Sequence, residues 1–214
     1  MTVTHHVSED LLLEHASGAL DAGWSLAVAT HLALCPVCRE HARMLDAIGA
    51  AALEALEPEQ VSPAAFEALM RRIDEEPGAV QDPVASASPS VPAPLRPYVS
   101  GDFEGIRWTM VGGGVRQRIL PIKGDARARL LRIAPGAKLP EHSHRGRELT
   151  LVISGSFTDG ADLYGPGDIQ DVDETVSHTP VAGAGEMCVC LAVSDAPLRF
   201  NRLLPRLAQK IARI

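Results

Sequence analysis

The sequence predicts an α+β protein in two parts, a short helical module followed by a β-sandwich or barrel, and three observations carry that expectation. Residues 1–76 show helix caps followed by apolar residues at helical spacing. Residues 77–97 hold six prolines and almost no large apolar side chain. From residue 98 onward, short apolar runs alternate with Gly, Pro and Asp, the mark of many short strands joined by turns.

Each element follows from local chemistry. Ser8 is placed to cap a helix carrying Leu11, Leu12 and Leu13, and Gly18 suits its end. A second helix is expected from about Asp21 to Leu34 and a third from Pro36 to about Leu56. Ser62-Pro63, a cap followed by a first-turn proline, opens a fourth with Phe66, Leu69, Met70 and Ile73 on one side. These short pieces share a modest core, and a metal would help them fold. The 77–97 segment reads as a semi-rigid linker rather than a packed element. Beyond it, GVRQRILPI, ARLLRIAPG, ELTLVISGSF and EMCVCLAV read as strands, and 205–214 as a short basic helix.

Composition narrows the function. Of 214 residues, 46% are hydrophobic, enough for a buried core, and the net charge of −7 argues against a nucleic-acid surface. Residues 1–76 carry 4 Lys/Arg against 13 Asp/Glu, or −9, whereas the remainder carries 16 against 14, or +2. An acidic module suits a basic protein partner. The N-terminus lacks the basic and apolar regions of a signal peptide, and no apolar run reaches the roughly 18 residues that span a bilayer. The expectation is a cytoplasmic protein without a membrane partner.

Two constellations carry chemistry. In the first, His31 and Cys35 stand one helical turn apart, and Cys38 falls in the first turn of the helix begun by Pro36. Zinc takes four such ligands in a tetrahedron. The fourth must come from nearby; His6 is favoured because the chain before the first helix can fold back, with His41 next, then His5 and His15. A redox CxxC of the thioredoxin kind would need a preceding strand, and WSLAVATHLAL reads as helix. HLALCPVC resembles the His-x3-Cys-x2-Cys signature of zinc-binding anti-sigma domains. That resemblance implies a four-helix module wrapped between the two domains of an extracytoplasmic-function sigma factor, with an upstream histidine as fourth ligand.

The second constellation is His142, His144, Glu148 and His178. Residues two apart on a strand share a face, so His142 and His144 point the same way. The stretch from Gly136 to Gly155 resembles the first cupin motif, and Gly160 to Asp168 with His178 resembles the second, with Pro166-Gly167 and a late histidine as departures. The resemblance implies a cupin β-barrel of jelly-roll type holding Zn most readily, with Fe, Mn and Ni compatible with the same ligands. Cys188 and Cys190 share one face of a strand. They read either as small core residues or as redox-active thiols facing the barrel interior.

In this order and across a proline-rich linker, the two modules resemble the ChrR family of zinc anti-sigma factors. The resemblance implies a non-enzyme that sequesters a sigma factor through residues 1–76. It implies release when the 98–214 cupin part detects oxidative stress, such as singlet oxygen. The rival readings are a cupin metalloenzyme, dioxygenase or isomerase, with an accessory zinc module, and direct DNA binding, which the −9 charge disfavours.

Overall fold

The computed structural model describes residues 2–75, 88, 90–99 and 101–200. Four α-helices come first: α1 (Glu9–Ala16), α2 (Ala22–Leu34), α3 (Pro36–Glu54) and α4 (Pro63–Glu75). Each begins where the capping chemistry places it. Ser8 Oγ accepts from Leu11 N–H, Asp21 accepts from Gly23 N–H, and Cys35 ends α2 and caps α3 at once. A 3₁₀ helix, Ala93–Tyr98, brings the helices among the described residues to five.

Twelve antiparallel strands follow: β1 (Thr109–Gly112), β2 (Val115–Ile119), β3 (Arg127–Ile133), β4 (His142–Ser143), β5 (Glu148–Ser154), β6 (Phe157–Asp159), β7 (Asp162–Tyr164), β8 (Ile169–Val172), β9 (Ser177–His178), β10 (Val181–Ala182), β11 (Cys188–Ser194) and β12 (Arg199–Phe200). They form a six-stranded sheet, β1-β2-β3-β11-β5-β8, and two three-stranded sheets, β10-β6-β7 and β12-β4-β9. β11 lies between β3 and β5, and all seven of its residues are buried. Its alternation explains why. Val189, Leu191 and Val193 pack in a core shared with Leu26, Ala27 and Val28 of α2. Cys188 and Cys190 face the other way, among Val115, Ile133, Val152 and Phe157. The run CVCLAV is apolar throughout because both faces of the strand are covered.

Helix α2 is therefore docked on the barrel rather than hung from it. α2 packs against β3, β5, β11 and the 3₁₀ helix. At its N-terminal end Asp21 Oδ2 accepts from Asp125 N–H at 2.9 Å, and Gly23 lies so close to the sheet that an added Cβ would sit 3.0 Å from Ala126 O.

Two expectations need correcting. The 77–97 segment does not stay unpacked to its end: Val91 and Leu95 are fully buried in the core shared with α2. A 3₁₀ helix accommodates Pro94 and Pro97, since its short run leaves few backbone N–H groups to satisfy. Nor do the four α-helices form one bundle. Among the described residues, α1, α2 and α3 contact one another, while α4 makes no extended contact and turns Phe66, Leu69, Met70 and Ile73 to solvent. Most of 77–89 and the expected 205–214 helix lie outside the described residues.

Candidate metal centres

The first centre forms where α2 ends. His31, in its last turn, and Cys35, its C-cap, lie four residues apart, and Pro36 turns the chain into α3 so that Cys38 comes back beside Cys35. Cys38 N–H donates to Cys35 Sγ at 3.4 Å. His6 arrives from the segment ahead of α1, with Nδ1 3.4 Å from each of the two sulfurs. A nitrogen and a sulfur on one tetrahedral zinc stand about 3.6 Å apart. One ligand atom from each of His6, His31, Cys35 and Cys38 lies within 4.8 Å of every other, and all but His6 are buried.

The barrel sets the orientation of His31. Its Nδ1–H donates to Gly167 O at 2.8 Å, so Nε2 carries the lone pair, and that atom is buried without a hydrogen-bond partner. A buried orphan acceptor beside two thiols suits a cation. Burial holds the His31 pKa down to about 4, so the ring is neutral, as a ligand must be. Burial, with the Cys35 thiol adding, pushes Cys38 up to about 11, and a metal would displace that proton.

The other three histidines lie elsewhere. His5 packs its ring against Tyr164, with centroids 4.2 Å apart. His15 Nδ1 is 3.1 Å from Ser25 Oγ. His41 lines a groove with Leu12, Leu13 and Met44.

The second centre lies on the barrel. β4 pairs with β9 so that His142 faces His178 directly, and His144 follows two residues along the same face. Their Nε2 atoms converge: His178 is 3.1 Å from both His142 and His144. Two nitrogens on one tetrahedral zinc stand about 3.3 Å apart. His142 Nδ1–H donates to Pro140 O at 2.8 Å, and His178 Nδ1–H donates to Asp159 Oδ2 at 2.6 Å. Both rings then aim lone pairs at one point, which a cation would occupy favourably. Burial holds His142 and His144 down to about 4.

Glu148 stands outside this compact trio. Its Oε2 comes 3.9 Å from His144 Nδ1, too far for a hydrogen bond, and that nitrogen is a second buried orphan. Burial raises the Glu148 pKa, opposed by the charge of buried Arg129, which donates to Ser194 Oγ at 2.7 Å. Cys188 and Cys190 meet Sγ to Sγ at 3.4 Å in the barrel interior. The hydrogen bond shared with Cys188 and burial both raise the Cys190 pKa, so it is held as a thiol.

Two carboxylates to which the sequence reading gave no role hold groups beside these centres. Asp159 fixes the tautomer of His178 and is itself held by Gln170 Nε2 at 2.7 Å. Asp168, part of the second cupin-like motif, accepts from the backbone of Thr4 and His5. Nothing local in the sequence marks their partners.

Residues 98–197 match the family described as the ChrR cupin-like domain. The whole chain is 48% identical over 216 residues to the anti-sigma-E factor ChrR of Cereibacter sphaeroides, covering 100% of both. It is also similar to a chain in the crystal structure of Rhodobacter sphaeroides SigE in complex with the anti-sigma ChrR. That match has a TM-score of 0.82 at 46% identity and covers 91% of this chain and 100% of the other.

Proposed function

The chain belongs to the ChrR family of anti-sigma factors, and from that premise we propose that it sequesters an extracytoplasmic-function sigma factor through residues 1–76 and releases it when the cupin barrel meets an oxidant. The observation that carries the binding half is the apolar surface left open on α3 and α4. Met44 and Ile48 of α3 are exposed, as are Phe66, Leu69, Met70 and Ile73 of α4, spaced to form one stripe. A stripe of this kind on an acidic segment marks a surface that a protein partner covers. The same premise makes the chain a regulator and sets aside the metalloenzyme reading.

Zinc held by His6, His31, Cys35 and Cys38 would tie the first segment to the α2–α3 corner as a structural cross-link. At the barrel, His142, His144 and His178 are the core donors, and Glu148 is the carboxylate expected beside them. That set suits zinc and also accepts Fe, Mn or Ni. The remaining 98–214 residues act as the sensor, and Cys188 and Cys190 are its candidate redox pair. No described helix is long and apolar enough to cross a membrane, and the proposed place of action is the cytoplasm.

The test uses the full chain with a cognate sigma factor. The two should co-elute, and the chain should suppress sigma-dependent transcription in vitro. Normal transcription at saturating chain would refute the binding half. Exposure to singlet oxygen or an organic hydroperoxide should restore transcription with the wild type and not with His142→Ala. Equal restoration in both would remove the barrel site from the signal.

A further inference from the structure

The segment from Gly165 to Gln170 touches the surroundings of both centres. At its start, Gly167 O accepts from His31 Nδ1–H, as described. Asp168 Oδ1 accepts from Thr4 N–H at 2.6 Å and His5 N–H at 2.8 Å, and Ile169 N–H returns a bond to His5 O at 3.2 Å. These bonds fix the backbone immediately ahead of His6. Asp168 Oδ2 closes its own turn by accepting from Gly165 N–H at 2.8 Å. Gly167 has φ +93°, and a Cβ there would meet Val3 at 2.6 Å, so the first segment lies directly on the turn. Two residues on, Gln170 holds Asp159, which holds His178.

We propose that Gly165–Gln170 is an outer shell common to both metal centres, with Asp168 positioning the His6 segment and Gln170 positioning the Asp159–His178 pair, so that the state of one centre changes how tightly the other holds its metal. The physical ground is continuity. The two sets of hydrogen bonds leave one short stretch of backbone, and β8 is pinned along its length by its ladder with β5. A shift of Asp159 that frees Gln170 therefore reaches the carbonyl and carboxylate that orient His31 and His6. The inference rests on reading His6, His31, Cys35 and Cys38 as a zinc site.

The experiment measures zinc release from the full chain to a chromogenic chelator, with zinc alone as probe. Cys38→Ser and His142→Ala assign the release phases. If Cys38→Ser still binds two zinc ions, the zinc reading itself fails and the inference with it. Given that site, Asp168→Ala should speed the Cys38-dependent phase about 10–100-fold, the usual range for loss of an outer-shell partner. His142→Ala should change the same phase by about fivefold or more. In Asp168→Ala the further change from His142→Ala should vanish. Val115→Ala, buried on β2 four places from β8 in the sheet, controls for general loosening. The inference is overturned if His142→Ala leaves the Cys38-dependent phase unchanged, if its effect persists undiminished in Asp168→Ala, or if Val115→Ala speeds that phase as much as Asp168→Ala. A measurement free of variants guards against misfolding: Thr4 and His5 amides should be protected from hydrogen exchange in the zinc-bound wild type, and free exchange there overturns the proposal.

Discussion

Phe66→Ala tests the proposed sigma-factor surface with little risk to the fold. Phe66 is 70% exposed on α4, so truncating it removes little internal packing and should move stability by no more than about 0.5 kcal/mol. Full burial of such a side chain contributes about 1.5–3 kcal/mol, and 70% of that remains for a partner to gain, or about 1–2 kcal/mol. Ile73, one face along at 57% exposure, offers about 1–1.7 kcal/mol on the same basis. Phe66→Ala should therefore weaken sigma-factor binding about 5–30-fold, and the double variant with Ile73→Ala by about 30–500-fold. Fluorescence anisotropy with labelled sigma factor reads the affinity, and circular dichroism melts check that the fold is intact. Wild-type affinity in the double variant, at an unchanged melting temperature, would refute the argument that α4 is held open for this partner.

Leu191→Ala should cost about 3–5 kcal/mol, because Leu191 is fully buried between α2 and the sheet, and helix and sheet signals should be lost together on heating. Separate transitions would show that the helices do not depend on that shared core. Asp21→Ala should cost about 1–3 kcal/mol through the lost α2 cap and the lost bond from Asp125. The Gly23 N–H, chiefly, holds the Asp21 pKa below its ordinary 3.8, so this contribution is present above that value and fades as pH falls through the lower folded one. The melting-temperature gap between wild type and variant should narrow in that acid range, and a gap that widens there would contradict the assignment. Asp159→Asn should weaken zinc at the barrel about 10–100-fold, read by chelator competition, and an unchanged affinity there would remove Asp159 as the partner of His178.

Helix starts were legible because capping is local chemistry: Ser8, Asp21, Pro36 and Ser62-Pro63 act within four residues of themselves. The ligand types of both centres were legible for the same reason, through spacings of two and four residues. Docking was not, yet its trace was present. WSLAVATHLAL is apolar on more than one side, as befits a helix covered by the sheet on one face and by α1, α3 and the 3₁₀ helix elsewhere. The proline count of 77–97 hid Val91 and Leu95, whose four-residue spacing was the only sign of packing. Asp159 and Asp168 act on partners 19 and 163 residues away, and no local pattern encodes such a distance.

That last separation bears on how the protein is made. His6, His31, Cys35 and Cys38 leave the ribosome ahead of Gly167 and Asp168, which hold the His31 ring and the backbone before His6 and follow about 130 residues later. At roughly 5–20 residues per second, the nascent helices spend about 7–26 seconds without the barrel beneath them. During that interval α2 lacks the sheet that covers its apolar side, and the His31 ring lacks the carbonyl that selects its tautomer. Zinc taken up by the growing chain would thus be held more loosely than zinc in the folded one, and the later-made barrel would convert the first state into the second.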